Sequence, residues 1–404
     1  MTVRGPEESL CIPEGYKFSS ATAGIKQSGK PDLALAEAPY GAAAAAVYTR
    51  NRVVAAPLVV DRANLKQSSG RVRAVVVNSG NANCATGKRG IAAAEQVCKA
   101  VGDALEAAPE FIFPSSTGII GVQLPMEKVT ATVPQLVSAR AEGEQAFRTF
   151  AEAIMTTDTC AKIATACFKV GNREVKIAAA CKGSGMIHPD LATMLVYIFT
   201  DVSASPSQLE GVLRSAVEVS FNAMSVDGDT STNDTVLLLA NGASQVKMGA
   251  AGVAKKFQQC LVKVCQSLAE QVIRDGEGAK HLIRLHIEQA RSVAEARQVA
   301  RSIANSPLVK TAWAGCDPNW GRILSSVGKS GVEVAPEKVN IFIGKHRVCR
   351  GGMVGDFDAN AAHELMKQRE YDIRVQLGHG RAALTFLTCD LTTEYVHINA
   401  DYST

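Results

Sequence analysis

A threonine at position 193 stands where a glycine-containing loop meets a run of apolar residues. The segment 182–193 reads Lys-Gly-Ser-Gly-Met-Ile-His-Pro-Asp-Leu-Ala-Thr, and the apolar run 194–199 follows it. A threonine hydroxyl is a weak nucleophile unless a base lies beside it, and the α-amine of a chain that begins with threonine is such a base. The reference pKa of an α-amine, about 7.7–8.0, is close to working pH, where a general base is most effective. The segment therefore predicts self-cleavage between Ala192 and Thr193, which would make Thr193 a nucleophile with its own base.

The same residues are also compatible with an ordinary buried strand that begins after a turn. Gly183 and Gly185 would then serve only the turn, and Ala192 and Thr193 would begin the strand. Composition alone favours this bland interpretation. The cleavage hypothesis depends on agreement with other motifs in the chain.

A second loop contains groups that could stabilise a developing negative charge. Acyl transfer through a threonine ester needs a nucleophile, a base, donors to an oxyanion and a polar surround for the substrate. Ser116, Thr117 and Gly118 offer hydroxyls and a glycine N–H, and a glycine allows the backbone to approach a substrate closely. One such donor contributes roughly 3–4 kcal/mol to catalysis. An ordinary turn is the alternative for this loop.

Polar and glycine-rich motifs recur along the chain, and their order is more informative than any one of them. They are Asn78-Ser-Gly-Asn-Ala-Asn-Cys-Ala-Thr-Gly87, Ser115-Ser-Thr-Gly-Ile-Ile-Gly121, Met155-Thr-Thr-Asp-Thr159, Lys182-Gly-Ser-Gly-Met-Ile187, Ala192-Thr-Met-Leu195, Asp227-Gly-Asp-Thr-Ser-Thr-Asn-Asp234, Asp275-Gly-Glu-Gly-Ala279, Asn305-Ser-Pro-Leu-Val-Lys310, Gly315-Cys-Asp-Pro-Asn-Trp-Gly-Arg322 and Asn399-Ala-Asp-Tyr-Ser-Thr404. In this order, and over nearly the whole chain, they resemble the glutamate N-acetyltransferase/ornithine acetyltransferase family of arginine biosynthesis. Two segments depart from that family's usual pattern: residues 279–281 read Ala-Lys-His instead of Ala-Thr-Lys, and residues 190–191 read Asp-Leu instead of Asn-Met.

The resemblance implies an α+β fold shared with self-processing aminopeptidases. Its mostly antiparallel sheets would be sandwiched by helices as α/β/β/α layers, with a smaller C-terminal α/β domain. We expect residues 1–284 to form the sandwich domain that carries the nucleophile, and residues 285–404 to complete the substrate site. Cleavage would give an α chain of residues 1–192 and a β chain of residues 193–404, which the family keeps together as an α2β2 heterotetramer.

The resemblance also implies roles for individual residues. It assigns the oxyanion hole to Thr117 and Gly118. N2-acetylornithine has an α-carboxylate and a δ-ammonium, and glutamate has two carboxylates and an amine, so the site needs a cation and an anion. Lys182 and Glu277 are the candidates. The substrate-binding residues would be Thr156, Lys182, Thr193, Glu277, Asn399 and Thr404.

The implied reaction moves an acetyl group from N2-acetylornithine to glutamate through an acetyl ester on Thr193. No bound cofactor is implied, and acetyl-CoA is a candidate second donor. One alternative is a hydrolase of the same fold, a self-processing aminopeptidase or amidohydrolase whose acyl-enzyme water discharges. Another is a ligand-binding protein with an uncut loop, and a third is a relative that acts on similar acyl-amino acids in secondary metabolism.

Composition excludes several other classes of protein. The 404 residues have a net charge of +4 without a basic block, so nothing indicates nucleic acid or an anionic membrane. Eleven cysteines lack any Cys-x-x-Cys pair and seven histidines lack metal-ligand spacing, which favours reduced thiols and no metal site. The N-terminus lacks the apolar core of a signal peptide, and the longest apolar stretch, Leu191–Phe199, is far shorter than the roughly 20 residues that cross a bilayer. We expect a cytoplasmic protein.

Hydrophobic periodicity and turn signals predict several elements. Apolar runs at 162–170 and 173–181 flank Gly171-Asn172, which predicts a hairpin. Ser205-Pro-Ser-Gln208 predicts a capping box at the start of a helix. Runs at 110–113, 235–240 and 395–398 predict strands, and 253–272 predicts a long helix. The alanine run 42–46 is assigned to no element.

Overall fold

Two β-sheets organise the chain in the computed structural model, which describes residues 3–188 and 194–401. The predicted cleavage residues Ala192 and Thr193 lie outside these described residues, and so does Thr404, which was predicted to bind the substrate. Within the described ranges, none of the helices combines the length and apolar character needed to pass through a membrane.

The strands and helices alternate irregularly along the chain. The strands are β1 (Val3–Arg4), β2 (Lys17–Ala21), β3 (Leu33–Tyr48), β4 (Arg71–Asn81), β5 (Ile112–Ile119), β6 (Lys162–Val170), β7 (Arg173–Lys182), β8 (Leu195–Thr200), β9 (Met224–Ser225), β10 (Thr235–Ala240), β11 (Leu282–Ala290), β12 (Asn340–Ile343), β13 (His346–Arg350), β14 (Met353–Val354), β15 (Glu370–Gln376) and β16 (Ala382–Cys389). The helices are α1 (Ala56–Gln67), α2 (Gly87–Ala104), α3 (Met126–Ser138), α4 (Glu144–Ala153), α5 (Pro206–Glu218), α6 (Val253–Arg274), α7 (Val293–Ala304), α8 (Pro307–Ala314), α9 (Trp320–Gly328), α10 (Ala359–Met366) and α11 (Thr393–Asp401). Short 3-10 helices occupy Pro109–Phe111, Phe221–Ala223 and Pro336–Lys338.

Both sheets are mixed, and most of their strand pairs are antiparallel. The first has the order β1-β6-β7-β8-β10-β3-β4-β5, with β2 paired to β3. Only the pairs β8–β10 and β4–β5 among its described strands are parallel. The second has the order β14-β13-β12-β15-β11-β16-β9, and the pairs β11–β15 and β9–β16 are parallel. The predicted predominance of antiparallel pairs is confirmed.

The first sheet is divided into two layers. The long strand β3 belongs to both layers because it passes through a bulge between Glu37 and Ala42. Before the bulge it pairs mainly with β2 and β4, and after it with β10. Successive side chains of a strand point to opposite faces, so each layer has an inner and an outer face. Leu195, Tyr197 and Phe199 of β8 face a core shared between the layers, whereas the residues between them face α5 and α6.

The layer of the first sheet that contains β4 shows the same alternation of inner and outer side chains. Val75 and Val77 of β4 face the shared core, and Ala74 and Val76 face α1, α2 and α3. Edge-on aromatic contacts fill the shared core, with the Phe18 ring centroid 5.1 Å from that of Phe199. The two layers of the first sheet pack against each other, and helices cover the outer face of each layer. This is the predicted α/β/β/α sandwich, which is thereby confirmed.

Residues after 281 form most of the smaller C-terminal unit around the second sheet. Helices α7 to α10 accompany its strands, and Trp313, Ile323 and Ile373 are buried in its core. The predicted boundary between residues 284 and 285 falls inside β11, and β9 adds an earlier strand to this sheet. The division into two domains stays a prediction.

The local predictions succeed where side-chain pattern and turn chemistry agree. The hairpin of β6 and β7, the strand β10 and the capping box of Ser205 with Gln208 are confirmed. The strand expected at 110–113 begins only at Ile112, because a 3-10 turn precedes it.

The strand expected at 395–398 is wrong. These residues lie in α11, where Tyr395 and Asn399 share one face four residues apart. Tyrosine, valine and isoleucine are enriched in strands, but this preference depends on context, and here Tyr395 and Asn399 lie on the face of the helix that lines the pocket.

Candidate active site

A pocket of about 240 Å³ lies at one edge of the first sheet. Strands β8 and β10 begin at this edge in parallel register, with Leu195 opposite Thr235, and β7 ends beside them with Lys182 opposite Leu195. The parallel strands β4 and β5 also end here. The pocket is lined by every predicted site residue that the structure describes: Thr117, Gly118, Thr156, Lys182, Glu277 and Asn399.

The ends of β4 and β5 bring two glycines into close contact. Gly118 pairs with Gly80, and their φ angles are +131° and +103°, which side chains disfavour. A Cβ added to Gly118 would lie 2.3 Å from the Gly80 carbonyl carbon. Only glycine fits at position 118, and Gly118 and its buried neighbour Thr117 both line the pocket.

Buried amide side chains fix the surrounding loops. The Asn233 side chain donates hydrogen bonds to the carbonyls of Ala82 (2.7 Å) and Ser116 (2.8 Å). The Ser116 hydroxyl donates to Asn78 Oδ1 at 2.6 Å. These bonds join the loop before β10 to the ends of β4 and β5. Sequence reasoning gave these amides no role, although the motifs at 78–87 and 227–234 contain them.

Lys182 supplies a partly buried cation to the pocket. Its Nζ donates a hydrogen bond to Thr156 Oγ1 at 3.1 Å, so these two predicted residues are in contact. Burial lowers the pKa of Lys182, and the nearby carboxylates of Asp158 and Asp234 oppose that shift. An additional anion, such as a substrate carboxylate, would stabilise the charged form of a lysine in such surroundings, because the anion compensates for the lost solvation.

The carboxylate of Asp158 holds the backbone around Lys182. It accepts hydrogen bonds from the N–H groups of Thr156 (3.0 Å) and Gly183 (2.6 Å) and from Lys162 Nζ (2.6 Å). Burial would raise the pKa of Asp158, but the charges of Lys162 and of the pocket lysine outweigh burial and lower it. Asp158 is therefore ionised, and it positions both residues of the Thr156–Lys182 pair.

Lys162 is the buried counter-ion behind this arrangement. Its Nζ lies 2.6 Å from a carboxylate oxygen of Asp158 and 2.6 Å from one of Asp275. Burial alone would lower its pKa, yet the two carboxylates raise it above the ordinary value. The sequence gave no signal for this ion triplet, because Lys162 and Asp275 are far apart in the chain.

Glu277 lies in the same pocket and contacts the loop that follows β7. Its N–H donates to the Ser184 carbonyl at 2.9 Å, and its carboxylate accepts a hydrogen bond from Asn399 Nδ2 at 2.9 Å. A Cβ added to Gly185 would lie 2.4 Å from a Glu277 carboxylate oxygen, so Gly185 allows the close approach. The predicted pair Glu277 and Asn399 is therefore in direct contact.

The pocket combines three chemical environments. Thr117 and Gly118 line one part, the Lys182 cation another, and Glu277 a third. Asp227, Asp229 and Asp234 also line it, a position that sequence reasoning missed although it singled out their motif. Among the described residues, no cluster of histidine, cysteine and carboxylate side chains has the arrangement of a metal site. The arrangement can hold a small molecule with both an anionic and a cationic group near hydrogen-bond donors for a carbonyl oxygen.

Comparison with known proteins agrees with these motifs. The model of the ArgJ family matches residues 17–404. The arginine biosynthesis bifunctional protein ArgJ of Geobacter sulfurreducens is 42% identical over 395 residues, which cover 97% of this chain and 99% of that protein. The protein of the same name from Bradyrhizobium diazoefficiens is 43% identical over 396 residues, which cover 96% and 95%. A solved structure of ornithine acetyltransferase complexed with ornithine, from Mycobacterium tuberculosis, is 36% identical; the match covers 47% of this chain and 99% of that one, with a TM-score of 0.43. The chain belongs to the ArgJ family.

Proposed function

We propose that this protein is an acetyltransferase of arginine biosynthesis that moves the acetyl group of N2-acetylornithine to glutamate. The observation that carries the proposal is the convergence of Thr117, Gly118, Lys182 and Glu277 on one pocket beside the start of β8, the strand that follows Thr193. Full-length relatives named arginine biosynthesis bifunctional protein support the pathway.

In this proposal the chain first cuts itself between Ala192 and Thr193. The freed α-amine of Thr193 then acts as the base for its own hydroxyl, which attacks the acetyl carbonyl and forms an ester. Thr117 and Gly118 donate hydrogen bonds to the oxyanion of each tetrahedral intermediate. Ornithine leaves, glutamate enters, and its amine takes the acetyl group from Thr193.

The two amino acids share an α-carboxylate but differ at the other end. Lys182, with Thr156 beside it, holds the α-carboxylate of each in turn. Glu277, with Asn399 beside it, holds the δ-ammonium that only the ornithine side of the reaction presents. Thr404 is proposed to complete the substrate contacts.

Further properties belong to the same proposal. Acetyl-CoA is proposed as a second acetyl donor, and no resident cofactor is proposed. The fragments 1–192 and 193–404 are proposed to remain associated as α2β2 in the cytoplasm. Such association is expected because β7 and β8, which would belong to different fragments, pair along their length.

The direct test is acetyl transfer by the purified protein, with N-acetylornithine or acetyl-CoA as donor and glutamate as acceptor. We expect parallel lines in double-reciprocal plots, and about 42 Da added to the 193–404 fragment after incubation with N-acetylornithine alone, since an ester is held between the half-reactions. Intersecting lines without the adduct would contradict the ester mechanism. Release of acetate at the same rate with and without glutamate would instead indicate a hydrolase.

Substitution of the charged pocket residues should separate the two substrates. Lys182→Met should raise the KM of both N-acetylornithine and glutamate by about 10- to 100-fold, because a charge-assisted hydrogen bond contributes about 1.5–3 kcal/mol. Glu277→Gln should raise KM for N-acetylornithine about tenfold and leave that for glutamate nearly unchanged. Steady-state kinetics with each substrate varied in turn measures both effects.

Two exposed residues near Glu277 provide matched controls. Lys280→Met and Glu394→Gln make the same changes of charge outside the pocket lining. Both should keep wild-type KM values. Equal effects of Glu277→Gln on the two substrates would refute the assignment of Glu277 to the ammonium.

A further inference from the structure

Asp227 is a partly buried residue of the pocket wall, and its carboxylate holds the loop that precedes the cleavage segment. It accepts hydrogen bonds from the N–H groups of Met186 (2.5 Å), Ile187 (2.9 Å) and Asp229 (3.1 Å). None of the roles proposed above involves this carboxylate. A carboxylate that binds several backbone N–H groups fixes their direction strongly, because each bond is charge-assisted.

The loop 184–187 both donates hydrogen bonds to residues 225–229 and accepts hydrogen bonds from them. The carbonyl of Ile187 accepts hydrogen bonds from Val226 N (2.9 Å) and from the Ser225 hydroxyl (3.1 Å). On the other side of the loop, the Ser184 carbonyl accepts from the N–H of Glu277. The loop 184–187 is therefore anchored at both ends to residues that follow position 193 in the chain.

The backbone at Met186 shows what the anchor maintains. Met186 has φ +60°, a left-handed conformation that a residue with a long side chain adopts at a cost. Its own N–H and the next N–H both bind Asp227, so the carboxylate stabilises this conformation. The Met186 side chain is 40% exposed and lines the pocket.

Asp227 also lies near α11, which lines the same pocket through Tyr395 and Asn399. Burial and the negative charge of the nearby Asp227 both raise the pKa of Tyr395, and Asn399 of the same helix donates a hydrogen bond to Glu277. Every residue of α11 keeps part of its surface exposed, so the helix is held by few apolar contacts. Glu277 therefore hydrogen-bonds to both the loop 184–187 and α11, and Asp227 hydrogen-bonds to the same loop and lies near α11.

We propose that Asp227 is a positioning residue that clamps the loop 184–187 beside α11 and so shapes the pocket. The clamp itself follows from the hydrogen bonds, whereas its effect on acetyl transfer rests on the proposed function. If the chain is cut after Ala192, the clamp joins the two fragments, because the loop belongs to 1–192 and Asp227, Glu277 and α11 belong to 193–404.

The ionisation of Asp227 gives the clamp a pH dependence. Burial raises the pKa of Asp227 to about 6, although its three backbone donors oppose the shift and Asp229 adds to it. Tyr395 and the Cys389 thiol are titratable groups near Asp227, and Glu277 lines the same pocket. As pH falls through about 6, the carboxylate takes up a proton and loses the charge that binds the two loop N–H groups.

Protonation of Asp227 has the opposite effect on the free energy of unfolding of the whole protein. A carboxyl whose pKa is raised by folding contributes stability that is fully present below its unfolded pKa of about 3.9 and is lost as pH rises through about 6. Acidification should therefore loosen the loop while this group's contribution to the free energy of unfolding increases. A general loss of structure would move both quantities in the same direction.

Hydrogen exchange on the wild type and on Asp227→Asn tests the clamp directly. After correction for intrinsic exchange, the peptide containing 186–187 should exchange about 10- to 100-fold faster in the variant at pH 7, because charge-assisted bonds of about 1.5–3 kcal/mol are lost. The wild type should approach the variant's rate between pH 7 and 5, and the variant should show no such change. The exposed control Asp356→Asn should behave as wild type.

Acetyl transfer provides a second and independent measurement. The kcat/KM of the wild type should show a second fall near pH 6, in addition to the fall that protonation of the Thr193 amine causes, and that of Asp227→Asn should be at least tenfold lower at pH 7 without the step near pH 6. If the wild type shows no acetyl transfer, the proposed function fails while the exchange experiment still tests the clamp. If the wild type is active and Asp227→Asn keeps its exchange rates and its pH profile, the clamp is refuted.

Tyr395→Phe covers the case in which Asp227→Asn does not fold. It removes one hydroxyl from a partly exposed helix, and it should speed exchange in 393–401 and leave 186–187 protected. Unchanged exchange in 393–401 would contradict the link between Asp227 and α11.

Discussion

Thr193→Ala should give a single 42.6 kDa band on a denaturing gel, where the wild type should give fragments of about 20 and 22 kDa in proportion to their length. Cleavage requires a hydroxyl that attacks the carbonyl of Ala192 and forms an ester, which water then opens. Alanine has no hydroxyl, so the bond stays intact and no N-terminal amine is formed. Acetyl transfer should fall by at least about a thousandfold, because the nucleophile and its base are lost together.

Thr193→Ser is the matched control, since it keeps a hydroxyl at the same atom. It should still give two fragments, and it should form an acetyl ester. Intact mass of both variants, measured before and after incubation with N-acetylornithine, distinguishes cleavage from acetylation. Two fragments from Thr193→Ala would remove Thr193 as the agent of cleavage.

The sheet explains why cleavage in this loop need not disturb the fold. Lys182 at the end of β7 lies opposite Leu195 at the start of β8, so the intervening residues connect two adjacent, paired positions. Backbone hydrogen bonds between the strands would keep both ends in place after the cut. The hydrogen bonds of Asp227 and Glu277 to the loop 184–187 would also join the fragment 193–404 to the fragment 1–192.

The sequence predicted strands well where one face or both faces have a clear apolar pattern. The hairpin of β6 and β7 and the strand β10 carry β-branched and large apolar residues, and their bounds match closely. The alanines at 42–46 carried no such signal, because alanine is depleted in strands. They lie in β3, with the side chains of Ala42 and Ala44 in the core between the layers and those of Ala43 and Ala45 in the core beneath α5 and α6.

The site was predictable in its parts but not in its connections. Motif resemblance singled out Lys182 and Glu277, which are far apart in the chain yet line one pocket. Asp158, Lys162 and Asp227 were missed because their roles depend on partners distant in sequence, such as Asp275 for Lys162 and Met186 for Asp227. Neither spacing nor composition encodes such contacts. Only the fold brings these charged groups together.

Removal of the Thr117 hydroxyl should reduce kcat about 10²- to 10³-fold, the usual effect of losing one oxyanion donor. Thr117→Val is the sharpest substitution, because valine keeps the β-branched shape in a buried position at the end of β5. KM should change little, since the lost bond acts on charge that develops only in the transition state. Cleavage of the precursor should also slow if the same donor serves that oxyanion.

Gly118→Ala cannot serve as this test, because the added Cβ would meet the backbone of Gly80 and displace the ends of β4 and β5. Thr117→Ser is the better partner, since it keeps the hydroxyl and should retain most of the activity. Equal melting temperatures of the three proteins would exclude a folding effect, and the rate of acetylation of the 193–404 fragment in a single turnover isolates the chemical step. Wild-type turnover by a fully cleaved Thr117→Val sample would refute the hydroxyl as a donor and leave the backbone N–H groups at 117 and 118 as the oxyanion hole.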